Sequence, residues 1–229
     1  MNSDIIIKAE GLKKTYGEGE NAVHALDNVC LEVCRGEFVA ITGESGSGKT
    51  TLLNALGSLD VVDSGKIVSC GNEITNMNDA GLSVYRRRNL GFIFQNYNLI
   101  PVLNVEENIV LPLNLDNTDP DIKYLEELME LTGLISKRKN FPHELSGGQQ
   151  QRVAFARALI HKPELILADE PTGNLDSKNS REIISILKNS IRKYNQTLVL
   201  ITHDPAIAAQ ADRILCMNDG ILTESEGTL

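Results

Sequence analysis

Short, wholly apolar runs alternate along the chain with longer stretches whose apolar residues recur every three or four positions. Glu37–Thr42, Leu165–Ala168 and Thr197–Thr202 are brief and rich in branched residues, and predict buried strands. Leu52, Leu53, Ala55 and Leu56 form one helical stripe. Val153, Ala156 and Ile160, with Phe155 and Leu159, form a second, and Ile183, Ile184, Leu187 and Ile191 a third over about 177–193. Strand–helix alternation of this kind predicts a mainly parallel sheet whose ligands bind beyond the carboxyl ends of its strands. Residues 5–11 and 29–33 predict strands around the polar, glycine-bearing turn Tyr16–Asn21, an opening suited to an antiparallel β-subdomain. Gly65–Gly71 and Gly91–Gln95 predict further strands, and 79–89 a helix. From 104 to 139 the spacing is helical in two stretches, Val105, Ile109 and Leu111, then Ile122, Leu125, Leu128 and Met129. Pro112 and the polar residues 114–119 are expected to separate them, with Pro120 in the first turn of the second. The stretch reads as a helical insertion between two halves of an α/β core.

Candidate chemistry sits where the strands end. Gly43-Glu-Ser-Gly-Ser-Gly-Lys49-Thr50 fits G-x-x-x-x-G-K-[ST] between a predicted strand and a predicted helix, the context that makes this pattern a phosphate-binding loop. Gly43, Gly46 and Gly48 let the backbone curl so that the N–H groups of Glu44, Ser45, Ser47 and their neighbours face a polyphosphate, with the dipole of the following helix behind them. Lys49 is expected to reach the β- and γ-phosphates, and the Thr50 hydroxyl to ligate Mg²⁺. Leu145-Ser-Gly-Gly-Gln-Gln-Gln-Arg152 supplies a second helix start. Ser146 and Gln149 have capping-box spacing, and Gly147 and Gly148 make an anion site without a lysine, suited to a phosphate already held elsewhere. Asp169 and Glu170 end an apolar strand. The first is placed to hold Mg²⁺ and the second to polarise an attacking water, the alternative being a solvated turn. Gln95 can touch the metal or that water, or be a surface amide. His203 can bond the γ-phosphate or orient the water, or be structural. Tyr16 can stack on a purine ring or simply pack.

Composition is that of an ordinary soluble protein, and no window approaches the roughly 18 apolar residues of a membrane helix. The opening residues lack the basic and apolar regions of a secretory signal, so a cytosolic chain is expected. A formal net charge of −9 argues against a nucleic-acid groove. Arg86-Arg87-Arg88 runs against that balance and reads as a solvated helix face, with an anion or protein contact as the alternative. Cys30, Cys34, Cys70 and Cys216 are scattered without C-x-x-C pairs, so they are expected to be reduced and packed.

In order and spacing, the phosphate loop, Gln95, Leu145-Ser-Gly-Gly-Gln149, Leu167-Ala-Asp-Glu-Pro171 and His203 resemble the ATP-binding subunits of ABC transporters, from Tyr16 to about residue 220. The resemblance implies one nucleotide-binding domain. Its P-loop NTPase core and antiparallel β-subdomain would take about 1–95 and 160–222, and a helical subdomain carrying the Ser-Gly-Gly-Gln signature, Ser146–Gln149, about 96–159. It implies ATP and Mg²⁺ as cofactors and a head-to-tail homodimer. Each ATP would lie on Lys49, Thr50 and Asp169 of one chain and meet Ser146 and Gly148 of the other. Thr51 would touch the α-phosphate, Tyr16 the adenine, and Gln95 would report to a separate transmembrane permease, placing the chain peripherally at the cytoplasmic face of the plasma membrane. Gly173-Asn174-Leu175-Asp176 departs from the commoner Ser-Ala-Leu-Asp. With Leu52–Asp60 and Arg86–Pro101 it looks like the macrolide-exporter and lipoprotein-releasing group. Val102–Pro112 looks like bacitracin-type antimicrobial-peptide resistance transporters. Export or detoxification of such compounds is the expected role. A regulatory ATPase of cell division, and a soluble ABC ATPase acting on DNA or ribosomes, are the alternatives.

Overall fold

In the computed structural model, residues 4–224 are described except Asn174 and Asp176, with the backbone alone for Glu20 and 177–179. Asn174 and Asp176 of the Gly173-Asn174-Leu175-Asp176 motif, and the tail beyond 224, lie outside the described residues. Two sheets organise the chain. The first, in the order β2-β1-β4-β5, pairs β1 (Ile5–Tyr16), β2 (Val23–Cys34), β4 (Ser64–Ser69) and β5 (Asn72–Glu73), all antiparallel. The second, in the order β10-β9-β3-β8-β7-β6, has β3 (Phe38–Thr42) between β8 (Thr197–Ile201) and β9 (Arg213–Asn218), then β7 (Leu165–Asp169) and β6 (Leu90–Ile93). Its pairings are parallel except for the edge strand β10 (Ile221–Glu224), which turns back on β9.

The apolar runs follow from burial on both faces of this second sheet. Leu198 and Leu200 of β8, with Ile166 and Ala168 of β7, enter a core built with α3 (Val105–Leu115), α4 (Ile122–Leu131), α5 (Gly147–Leu159) and α6 (Ser177–Tyr194). The alternate residues, Val199, Ile201, Leu165 and Leu167, enter a second core with α1 (Lys49–Leu56) and the antiparallel sheet. Strand alternation thus divides one sheet between two hydrophobic layers. The remaining helices are α2 (Asp79–Asn89) and the short α7 (Pro205–Ala208), and among the described residues no helix is long and apolar enough to cross a membrane.

Several expectations change. Strands β1 and β2 are each 12 residues long, not the shorter segments read from alternation. Pro112 does not separate two helices but lies inside α3. Its missing N–H leaves the Asn108 carbonyl without its helical donor, while the buried Asn108 side chain ties down the preceding loop by donating to Ile100 O (3.1 Å) and Leu103 O (2.9 Å). Helix α4 is capped by Asp121, whose carboxylate accepts from Lys123 N and Tyr124 N, so Pro120 precedes the cap and is not in the first turn. Ile122 is exposed; Tyr124 takes the buried place beside Leu125, Leu128 and Met129.

Candidate nucleotide site

The loop after β3 is shaped by its glycines. Gly43 (φ +140°) and Gly48 (φ +104°) occupy left-handed backbone where a Cβ would stand 2.1 Å from the carbonyls of Met217 and Ala25 respectively. No other residue fits there. Gly46 also has positive φ, with open space beside it. The α1 cap, Gly48, brings no side-chain acceptor, so the first-turn N–H groups are not consumed internally. Lys49 is buried and folds back, donating to Gly43 O (2.9 Å) and Glu44 O (2.5 Å). Its ammonium therefore rests inside the curl of the loop, where an incoming polyphosphate can replace those carbonyls.

A cavity of about 560 Å³ opens over this loop. It gathers Gly43, Ser45, Gly46, Gly48, Lys49, Thr50 and Thr51 with Gln95, Asp169, Glu170, His203 and Tyr16. Glu44 and Ser47 stay outside the lining. Glu44 contributes its carbonyl to Lys49, and buried Ser47 anchors the loop to the β9–β10 turn by accepting from Gly220 N (3.0 Å). Asp169 ends β7, and burial holds its carboxyl above the ordinary carboxylate range, against the opposing pull of its hydrogen bond with Thr50. Glu170 follows in left-handed backbone (φ +42°), its N–H held by Ile201 O at 3.1 Å. His203 Nδ1 lies 3.2 Å from Glu170 Oε2. Gln95 lies two residues beyond the end of β6, and a Cβ on Gly173 would stand 3.3 Å from both its Nε2 and Glu170 Oε2.

Ser146, Gly147, Gly148 and Gln149 are not in this cavity. They start α5 with a complete capping box, Gln149 N donating to Ser146 Oγ (3.3 Å) and Ser146 N to Gln149 Oε1 (3.0 Å), and both Ser146 and Gly147 are exposed. Among the described residues no group of three or more His, Cys, Asp or Glu is placed to hold a metal. The Thr50 hydroxyl and the Asp169 carboxylate fit a hard cation that takes its remaining oxygens from phosphate and water, as Mg²⁺ does.

Sequence reasoning missed Val23 and Ala25 on β2, which line the cavity, and Asp60, which bonds the Tyr16 hydroxyl. Val23 pairs with Tyr16 across the first hairpin, a register not visible without the length of the turn. The arginine run is a solvated face only at Arg88, which is exposed; Arg86 and Arg87 are half-buried. Arg86 donates to Ser58 O (2.9 Å), and Arg87 and Arg88 reach Asp116 at 3.5 and 2.9 Å, tying α2 to the end of α3. All four cysteines are free, but Cys30 is exposed, not packed. Beside α2 a groove of about 300 Å³ exposes Phe92, Phe94, Leu111 and Leu115. At its side Arg157 donates to Asn98 O (2.7 Å) and Tyr97 O (2.9 Å), with no carboxylate partner among the described residues.

The profile of the family described as ABC transporter matches residues 26–173. The bacitracin export ATP-binding protein BceA of Halalkalibacterium halodurans is 43% identical over 218 residues, covering 94% of this chain and 86% of that protein. The lipoprotein-releasing system ATP-binding protein LolD of Bordetella avium is 44% identical, covering 94% of this chain and 95% of its own length. The macrolide export ATP-binding/permease protein MacB of Mannheimia succiniciproducens is 45% identical, but the chain spans only 34% of it. The dimeric post-hydrolysis state of the ATP-binding cassette MJ0796 bound to ADP and Pi superposes with a TM-score of 0.88 at 39% identity, covering 97% of this chain and all of that one. The family match runs unbroken from β2 through the phosphate loop and the signature helix to the strand-end carboxylates, and the chain belongs to the ABC transporter family as an ATPase.

Proposed function

We propose that the chain is the ATP-binding subunit of an exporter-type transporter, working as a head-to-tail pair of cassettes beside a separate permease. One observation carries this reading. The cavity gathers phosphate loop, carboxylates and His203 from a single chain, while the lysine-free glycine start at Ser146–Gln149 faces solvent outside it. A second copy turned by a two-fold axis brings one such start to each cavity. Lys49 and the loop N–H groups bind the β- and γ-phosphates, Thr51 lies toward the α-phosphate, and Ser146 and Gly148 of the second copy close over the γ-phosphate. Thr50 and Asp169, with Gln95 beside them, would hold Mg²⁺, which supplies charge neutralisation across the phosphates. Glu170 accepts the proton of the attacking water as its oxygen bonds the γ-phosphorus and the bond to ADP breaks. His203, within hydrogen-bond reach of Glu170, orients that pair. Tyr16 and Val23 offer the base an apolar contact.

BceA and LolD are named as ATP-binding proteins in their own right and are spanned almost fully by this chain, which supports a permease on a separate polypeptide and a peripheral position on the cytoplasmic membrane face. The segment 96–159 then acts as a helical subdomain that carries the signature toward the partner cassette. The groove beside Gln95's loop is apolar, and Arg157 at its side is hydrogen-bonded to Asn98 O and Tyr97 O but has no carboxylate partner among the described residues, which suits an amphipathic segment of the permease bearing a carboxylate. Antimicrobial peptides, macrolides or lipoproteins are the cargo classes named for the relatives, and Val102–Pro112 favours the first. None of the relatives named above is a division protein. The test is hydrolysis per chain against protein concentration, with sizing of Glu170→Gln in ATP. Rising specific activity and a dimer that accumulates only with ATP are expected. Concentration-independent turnover by a monomer would sink the composite site.

A further inference from the structure

The segment after α1 turns back on itself through Ser58 (φ +54°), and the N–H groups of Leu59 and Asp60 both donate to Asn54 O, at 2.8 and 3.3 Å. It is then lashed to the last residues of β1. Asp63 N donates to Lys13 O (2.8 Å), Thr15 N to Asp63 Oδ2 (2.7 Å), and Lys14 Nζ to Val61 O (2.6 Å) and Asp60 Oδ1 (3.0 Å). The other Asp60 oxygen accepts the Tyr16 hydroxyl proton. Tyr16 is 43% exposed and lines the nucleotide cavity, yet its hydroxyl is tied to Asp60. Lys14 Nζ stands 5.1 Å from the ring centroid. So strong a hold on an exposed aromatic is unneeded for packing.

We propose that Asp60 is a positioning residue for nucleotide binding: it fixes the plane of the Tyr16 ring as a preformed platform for the purine base. The inference rests on the reading of Tyr16 as the base contact. A ring already oriented loses less freedom when the base docks, and that saving appears as affinity. Lys14 balances the Asp60 carboxylate, so the platform is fixed without presenting an uncompensated negative charge near a triphosphate. The same segment joins the platform to the helix that holds the phosphates, so base and phosphate contacts are set by one rigid unit.

The test measures KM and kcat for ATP, with inorganic tripolyphosphate as a competitor that has no base, on the full chain carrying Asp60→Ala, Asp60→Asn, Tyr16→Phe or Tyr16→Ala. Asp60→Ala should raise KM about three- to tenfold, the scale of an ordered aromatic stack, with a much smaller change in kcat and an unmoved tripolyphosphate inhibition constant. Asp60→Asn, which keeps an acceptor oxygen, should restore most of the affinity. Tyr16→Phe breaks the same bond without touching Asp60, and should reproduce the rise even if Asp60→Ala folds poorly. If Tyr16→Ala raises KM but Asp60→Ala and Tyr16→Phe do not, the positioning role is wrong and the base platform stands. If ATP and tripolyphosphate weaken together, Asp60 acts through the fold and the proposal fails. If Tyr16→Ala leaves KM unchanged, the base reading falls and takes the proposal with it.

Discussion

Two helices in this chain begin at glycines, and they begin differently. The start at Gly43–Thr50 uses left-handed glycines, has no side-chain cap, and keeps Lys49 folded into the loop on carbonyls it can exchange for phosphate. The start at Ser146–Gln149 is finished before any ligand arrives. Its capping box satisfies Gln149 N and Ser146 N internally, neither Gly147 nor Gly148 has positive φ, and no lysine stands near in sequence. In the proposed site the first captures an anion from water, and the second offers a dipole and two small residues to an anion that something else has positioned. Glycine content alone does not separate them; what the backbone N–H groups are doing does.

Substitutions can break or sharpen that contrast. The largest effect is expected at Glu170→Gln, which should cut turnover roughly 10²–10⁴-fold while leaving ATP binding intact, read by single-turnover hydrolysis beside equilibrium binding. Lys49→Ala should lower the rate by about 10²–10³ and also weaken nucleotide binding by the dilute single chain. Ser146→Ala should slow turnover too, yet leave nucleotide binding by the dilute chain in place. Equal loss of binding in both variants would erase the distinction between the two starts. Mixing the Lys49→Ala and Ser146→Ala chains should recover hydrolysis that neither shows alone, because each lends the other its intact half. Gly48→Ala should lower stability by about 1–3 kcal/mol, seen in denaturant melts, since the new methyl meets the Ala25 carbonyl.

The smallest effect concerns Asp169. Its carboxyl titrates above the unfolded value, so the native state keeps a proton that the unfolded chain has released. Its contribution to stability is therefore full below the unfolded pKa and declines as pH rises through the folded one. Asp169→Asn should melt slightly higher than the wild type without ligand, the gap widening from about pH 4 to neutrality, while hydrolysis is lost. A gap that narrows with rising pH would mean that burial does not govern this carboxyl.

The phosphate loop, the capping box and the paired carboxylates could be read from residue order because each is a local arrangement with fixed spacing. The apolar strands of the parallel sheet were legible because burial on both faces leaves no alternation to interpret. The long hairpin was not. Gly11 (φ +59°) and Asn28 (φ +56°) take left-handed backbone, and the register shifts near them and again before Tyr16. Each bulge breaks the two-residue period, so alternation stops before pairing does. Pro112 misled for the converse reason: a proline forbids one hydrogen bond, and in α3 the surrounding packing holds the helix together without it. The tie from Tyr16 to Asp60 spans 44 residues and joins a strand to a loop, a contact with no local signal.

Glu170 carries a consequence for anyone who evolves this protein. A residue with a Cβ at φ +42° costs of order 1 kcal/mol relative to glycine or asparagine, and in the proposed mechanism that strain holds the base toward the phosphate loop. Laboratory selection for heat resistance, if it does not also demand turnover, should therefore find Glu170→Gly or Glu170→Asn among its early winners, and deliver robust proteins that hold ATP and do nothing with it.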